Sequence, residues 1–265
     1  MSLDPEIRET LLKLADLFMK NKIQFVLIGA IVPQVLIDLK EANGKGYGFR
    51  GTVDVDCAVA VESWSDFDDI KAKLGAAGFV MRGTGSEHRF YDGRIPVDIL
   101  PYGVGLLQDN ILVWPQSGRR MNMSGFRQLF EFAKQERIAE GVWVPVAPVS
   151  LAVYSKIIAF QDRMEPTDLA DIAYMLGHYE EISVSERRFE AGIPGGLTYD
   201  VRGAFLLGRE LRQYVSPSEV QQVKSFCNLM DEPVSAAVRG GIRIARLQVS
   251  EFAGLVSAFK MGLGI

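Results

Sequence analysis

Cysteine and histidine are the scarcest chemically versatile residues of this chain. Its 265 residues include two cysteines, Cys57 and Cys227, and two histidines, His88 and His178. So few thiols form neither a C-x-x-C motif nor a disulfide framework, which is typical of proteins from a reducing cytoplasm. A structural zinc site needs about four Cys and His ligands. The composition therefore excludes a zinc protein and predicts a cytoplasmic one.

Long hydrophobic runs and the common catalytic motifs are also missing. No apolar run reaches the roughly 20 residues of a membrane span, and no signal-peptide pattern begins the chain, so we expect no membrane partner. There is neither a G-x-x-x-x-G-K-[ST] phosphate loop nor a G-x-S-x-G nucleophile elbow. Hydrophobic residues make up 48% and charged residues 23%, as in globular proteins. The net charge of −4 argues against indiscriminate nucleic-acid binding.

What the sequence does contain is a pair of closely spaced acids at the start of an apolar segment. Asp54 and Asp56 precede residues 57–61, which are predicted to form a buried strand. Side chains alternate along a strand, so both acids lie on one face. Their repulsion, about 4 kcal/mol at 4 Å in an effective dielectric near 20, is relieved by a cation, and oxygen ligands suit Mg²⁺. The alternative is a strand end with two solvated acids.

Two further segments accompany this acidic pair. Residues 23–28 are predicted to form a strand that ends in Gly29-Ala30, and an apolar helix follows over residues 31–40. A small-residue turn before a helix lets phosphate approach backbone N–H groups at the helix N-terminus. Downstream, residues 88–100 are predicted to form a β-hairpin with its turn at Asp92-Gly93.

Asp98 interrupts the otherwise apolar second strand of this hairpin, between Val97 and Ile99. It is a candidate third acid beside the D-x-D pair. The alternative is an edge-strand acid that faces water, because Pro96 is typical of an edge or a bulge.

The combination G-A…T-x-D-x-D…V-D-I resembles the nucleotidyltransferase superfamily, which has the DNA polymerase β-like fold. The pattern R-x-T-x-D-x-D, with Arg50 and Thr52, is similar to the AbiEii-type subgroup, the toxins of toxin–antitoxin pairs. A second signature of that subgroup is matched by Lys156, Arg163 and the segment 167–171, T-D-L-A-D. The chain departs from the family at Ala30, where a Ser or Gly is usual, and at Thr167, where a Lys is usual.

The resemblance implies an α/β (α+β) architecture. A mixed β-sheet domain with flanking helices would occupy residues 1–148, and a helical domain that closes the cleft would occupy residues 149–265. The implied metal ligands are Asp54, Asp56 and Asp98, which would hold two Mg²⁺ ions. Implied catalytic residues are these three acids and Lys156; implied nucleotide-binding residues are Gly29, Ala30, Arg50, Thr52, Asp168 and Asp171.

The resemblance also implies a function. The protein would transfer an NMP from an NTP to an acceptor hydroxyl on RNA, such as tRNA, or on a protein, and it would have a partner antitoxin. Two alternatives stay open: a nucleotide-binding or partner-binding protein of the same fold without turnover, and a transferase that modifies a small molecule such as an antibiotic.

Several of these residues also have simpler interpretations. Lys156 is the one lysine in the apolar stretch 151–160, and its stem could cover apolar surface. Asp168 and Asp171 belong to the first turns of a predicted helix, where acids are favoured by the helix dipole. The pattern further predicts helices over residues 5–19, 65–77, 123–138 and 150–164, and a strand over residues 142–146. Ser65 and Asp68 would form the capping box of the second of these helices, and Ser150 would cap the last.

Overall fold

A computed structural model describes residues 4–39, 53–82, 86–183, 191–231 and 235–265. Arg50 and Thr52 lie outside these ranges. The described residues form two compact units, and the first ends at Pro148 while the second begins at Val149. That the second unit closes a cleft stays a prediction.

A seven-stranded mixed sheet forms the centre of the first unit, in the order β3-β4-β5-β2-β1-β10-β9. The central strand β2 runs antiparallel to β1 and parallel to β5. The strands are β1 (Phe25–Ile28), β2 (Val55–Ala60), β3 (Val80–Met81), β4 (Arg89–Asp92), β5 (Ile95–Tyr102), β9 (Lys134–Ala139) and β10 (Val142–Val146).

The two faces of this sheet differ in burial. Phe18 of helix α1 (Pro5–Lys20) lies 4.9 Å from Phe25 of β1 between ring centroids, and Phe25 pairs with Val59 of β2. Val59 and Cys57 therefore face α1 and are fully buried. Burial raises the pKa of the Cys57 thiol, and the charge of Asp56 adds to the effect. Asp56 alternates with these residues and faces the other side of the sheet.

The remaining helices of the first unit are α2 (Ile31–Leu39), α3 (Trp64–Ala76) and α4 (Phe126–Phe132). The capping box of α3 is two residues earlier than predicted: Ser63 is the N-cap and Asp66 completes the box. The hydrogen bond with the Ser63 side chain lowers the pKa of Asp66 most, and the bonds that its carboxylate accepts from the backbone N–H groups of Glu62 and Ser63 add to the effect. The helix predicted from Ser65 is otherwise confirmed.

The helix predicted over residues 123–138 is wrong in its second half. Helix α4 ends at Phe132, and residues 134–139 form β9, which pairs antiparallel with β10. Pairing with β10, which follows after a two-residue loop, overrides the local helical pattern. A separate three-stranded sheet, with β6 (Leu107–Gln108), β7 (Ile111–Val113) and β8 (Arg120–Asn122), was not predicted.

The second unit is helical. Ser150 does not cap its first helix: α5 begins at Val149, and the buried Ser150 hydroxyl donates to Glu210 instead. Glycines 240 and 241 continue helix α9 and let it approach Pro166 and Leu169 of α6 closely. The helices are α5 (Val149–Arg163), α6 (Pro166–Ser183), α7 (Arg202–Leu211), α8 (Pro217–Asp231), α9 (Ala236–Ile244) and α10 (Val249–Leu263).

The predicted fold class is confirmed: a mixed sheet with flanking helices precedes a helical region. Across the part of the chain that the structure describes, no helix combines the length and the apolar character needed to cross a membrane.

Candidate functional site

Three carboxylates converge on the half-buried face of the central sheet. Asp56 of β2 is the direct partner of Asp98 on the neighbouring parallel strand β5, and Asp54 precedes β2 by one residue. One ligand oxygen of each residue lies within 4.8 Å of the other two. Strand β5 lies between β4 and β2, so the interpretation of Asp98 as an edge-strand acid is wrong. The predicted meeting of the three acids is confirmed.

The turn between β1 and α2 lies directly beside Asp56. Gly29 has a φ of 72°, and a Cβ built on it would come within 2.2 Å of the Asp56 Oδ2 atom. Only glycine permits this approach. The first N–H groups of a helix lack intrahelical partners, and the helix dipole favours an anion there. Gly29 and the buried Ala30 thus bring a potential phosphate-binding turn next to the acids.

Arg89 is a member of this cluster that no sequence motif indicated. It lies opposite Asp98 across strands β4 and β5. Its Nε atom donates to Asp98 Oδ1 at 2.7 Å, and its Nη2 atom donates to Oδ2 at 2.6 Å. These bonds raise the pKa of the Arg89 guanidinium. Burial acts in the opposite direction, and the negative charges of Asp98 and Asp54 raise the pKa further. The cluster therefore contains an internal cation.

A misplaced turn concealed this contact. The prediction put the hairpin turn at Asp92-Gly93, but Asp92 pairs with Ile95 and the two loop residues are Gly93 and Arg94. Gly93 has a φ of 56°, as the first loop residue of a type II′ turn requires. Choosing that turn from the sequence would have aligned Arg89 with Asp98.

Lys156 lies in a compact charge network of the second unit. Its Nζ atom lies 3.2 Å from Asp168 Oδ1 and 2.8 Å from Asp171 Oδ2. Arg163 binds Asp168 through two further bonds of 2.6 and 2.7 Å. Only 1% of the Asp168 side chain and 10% of the Asp171 side chain are exposed. The motif residues of this half therefore lie together, bound to one another.

The cations of this network control the ionisation of Asp168. Burial acts to raise its pKa, but the hydrogen bonds and charges of Arg163 and Lys156 prevail and hold the pKa below the usual 3.8. Lys156 thus does more than cover apolar surface with its stem, because it forms ion pairs with two buried acids. The nucleotide-binding roles of Asp168 and Asp171 and the catalytic role of Lys156 stay predictions, as do the roles of Arg50 and Thr52.

No protein-family model matches the sequence, and a comparison with curated proteins finds no match. Among solved structures, the chain is similar to the cyclic dinucleotide synthase CdnE of Elizabethkingia meningoseptica, which was solved with GTP and Apcpp. The two share 11% identity with a TM-score of 0.26, over 100% of this chain and 93% of that chain. A TM-score this low is no basis for assigning either a fold or a function.

Proposed function

We propose that the first unit is the catalytic unit of a metal-dependent nucleotidyltransferase. The observation that carries this proposal is the convergence of Asp54, Asp56 and Asp98 within 4.8 Å, beside the glycine turn that precedes α2. Three acids on one face of a sheet suit divalent cations, and a helix N-terminus suits phosphate. A metal–triphosphate complex needs both features at one place.

The donor set fits Mg²⁺, because all three residues offer carboxylate oxygens. The bonds from Arg89 do not exhaust Asp98, since a carboxylate has about four lone-pair positions. Asp54, Asp56 and Asp98 would hold the metal, with two ions expected from the resemblance. When bound, the metal would supply positive charge to phosphate oxygens and to the attacking and leaving oxygens.

The protein residues orient the reactants in this proposal. Backbone N–H groups of the turn at Gly29 and Ala30 bind triphosphate oxygens. An acceptor hydroxyl attacks the α-phosphorus, an O–P bond forms, the bond to the bridging oxygen breaks and pyrophosphate leaves. The hydroxyl donates its hydrogen bond, and then its proton, to Asp98. The resemblance also assigns Lys156, Arg50, Thr52, Asp168 and Asp171 to nucleotide binding or catalysis, and these roles stay predictions.

The finer parts of the proposal rest on the resemblance. They are an RNA acceptor such as tRNA, or a protein acceptor, and a role as the toxin of a toxin–antitoxin pair. Turnover without RNA would favour a protein or a small molecule as the acceptor. Nucleotide binding without turnover would favour a binding protein of the same fold that lacks activity, an alternative suggested by the unusual Ala30.

A labelling experiment tests the reaction. The purified protein is incubated with Mg²⁺ and each α-labelled NTP, with and without total tRNA and with and without EDTA. We expect label on RNA or protein that depends on metal and is lost in Asp56→Asn. Asp68→Asn is a matched control, because Asp68 is a 67% exposed acid on α3. Metal-dependent label that persists undiminished in both Asp54→Asn and Asp56→Asn would overturn the proposal.

A further inference from the structure

The pairing of Arg89 with Asp98 places a fixed positive charge within the candidate metal centre. Both oxygens of Asp98 accept a bond from this guanidinium, and 14% of the Asp98 side chain is exposed. The two residues are cross-strand partners, so the pair is defined by the hairpin register. Arginine stays charged at every physiological pH. Arg89 therefore offsets one negative charge of the acid cluster, the charge of Asp98.

This charge acts against any cation that binds Asp98. Such an ion and the guanidinium would share one carboxylate, so only a few ångströms would separate two positive charges. Even in the dielectric of water, a unit charge and a divalent ion at about 5 Å change a binding constant roughly tenfold, and the effect is larger at lower dielectric. Partial burial of the pair moves the site toward the lower dielectric.

If Arg89 instead acted by holding the Asp98 carboxylate in place, it would strengthen metal binding. Hydrogen bonds to a metal ligand commonly strengthen metal binding by 10- to 100-fold, because they hold the ligand in place. Here the strands already hold Asp98, since β5 is paired on both sides and Val97 and Ile99 are fully buried. Arg89 therefore has only the side-chain torsions of Asp98 left to orient, and we expect its charge to have the larger effect on metal binding.

We propose that Arg89 is a built-in counter-cation that weakens binding of a divalent metal alone and makes metal binding depend on nucleotide. The phosphates of an NTP bring several negative charges to the same place, and these offset Arg89 when metal and nucleotide bind together. The inference rests on the proposed function for the nucleotide, but its effect on metal alone is measured without any reaction.

Mn²⁺ titrations followed by electron paramagnetic resonance test this role. The wild type, Arg89→Met and Arg89→Lys are compared, each with and without a non-hydrolysable NTP. We expect Arg89→Met to bind Mn²⁺ alone at least tenfold more tightly than the wild type, a change of about 1.4 kcal/mol. Arg89→Lys keeps the charge but loses the two-pronged geometry, so its affinity stays within about threefold of the wild type. The gain in Mn²⁺ affinity caused by nucleotide is at least tenfold smaller in Arg89→Met.

Thermal unfolding without metal verifies that each variant is folded before titration. Unchanged or weaker Mn²⁺ binding in Arg89→Met overturns the inference, and so does equal tightening in Arg89→Lys, because charge would then not be the cause. These outcomes are separate from the proposed function. Tighter Mn²⁺ binding in Arg89→Met without label transfer in any assay would keep the counter-cation and reject the transferase.

Discussion

Gly29 and Asp56 approach each other so closely that any side chain at position 29 would overlap the carboxylate: a Cβ would be 2.2 Å from Oδ2. The same glycine has a φ of 72°, which L-residues with a side chain rarely adopt. Gly29 thus follows β1 directly, begins the turn to α2 and leaves space for the Asp56 carboxylate. The turn and the acid form one unit, although they are distant in sequence.

We expect Gly29→Ala to lose nucleotide and metal binding and to lower the free energy of unfolding by about 3 kcal/mol, from backbone strain and overlap. Gly141→Ala is the matched control. Gly141 has the same φ of 72° but open space around it, so its cost is limited to the strain of about 1–2 kcal/mol. Urea unfolding and calorimetry with a non-hydrolysable NTP measure both effects. Equal losses in the two variants would show that the overlap has no consequence.

The second prediction concerns the acid pair. Asp54→Asn and Asp56→Asn should each abolish Mg²⁺-dependent nucleotide binding while the fold stays intact, because removing one charge relieves repulsion within the cluster. Calorimetric titration with and without EDTA is the measurement, and circular dichroism verifies the fold. Mg²⁺-dependent affinity that is unchanged in both variants would contradict the two-acid site.

The acid cluster could be predicted from sequence because its signal is local. The alternation along residues 54–61 fixes the face of Asp54 and Asp56, and the apolar neighbours of Asp98 predict a buried strand. The side-by-side position of Asp56 and Asp98 depends on the register between β2 and β5. Only the family resemblance indicated that Asp98 joins the other two acids. The approach of Gly29 to Asp56 depends on a second register and could not be predicted.

The errors have the same physical origin. Both Ser63-x-x-Asp66 and Ser65-x-x-Asp68 satisfy a capping box, and local sequence does not decide between them. Strand β9 exists because β10 pairs with it, whereas its own residues fit a helix as well. The hairpin turn was misplaced by one residue, and that displacement concealed Arg89. In each case the same residues satisfy two local patterns, and packing against the rest of the protein, which a local pattern does not specify, decides which one forms.

The third prediction concerns Lys156. Removing its charge in Lys156→Met leaves one buried cation fewer for Asp168 and Asp171, so we expect a loss of about 3–5 kcal/mol in the free energy of unfolding. Lys260→Met is the control, because the partner of Lys260, Asp231, is 57% exposed and such a pair contributes about 0–1 kcal/mol. Denaturant unfolding compares the two. If Lys156→Met lowered the free energy of unfolding no more than the control does, the role of Lys156 would be limited to covering apolar surface.

The fourth prediction is a pH dependence. Because the folded-state pKa of Asp168 is below 3.8, its ionised form stabilises the fold fully above that pH. The contribution is lost as the pH falls from about 3.8 through the lower folded-state pKa. We expect NMR titration of the folded protein to give Asp168 a midpoint below 3.8, and Arg163→Gln to raise it, since Arg163 binds both carboxylate oxygens. A midpoint above 3.8 in the wild type would contradict the network.

The last prediction tests the contact of helices α6 and α9. Helix propensity alone predicts that Gly241→Ala stabilises the protein, by up to about 1 kcal/mol. A Cβ on Gly241, however, would lie 2.6 Å from the Leu169 Cβ and 2.9 Å from the Pro166 carbonyl oxygen. We therefore expect Gly241→Ala to destabilise by about 1–3 kcal/mol, because the two helices must separate.

Two control variants separate packing from propensity at this contact. Gly75→Ala in α3 has nothing within 4 Å of the added Cβ and should stabilise, as propensity predicts. In Gly240→Ala the added Cβ would lie 3.2 Å from the Pro166 Cβ, a milder contact that should cost less than Gly241→Ala. Thermal unfolding ranks the three. If Gly241→Ala were as stable as Gly75→Ala, the close packing of α9 on α6 would be refuted, and with it the reason for a glycine pair inside a helix.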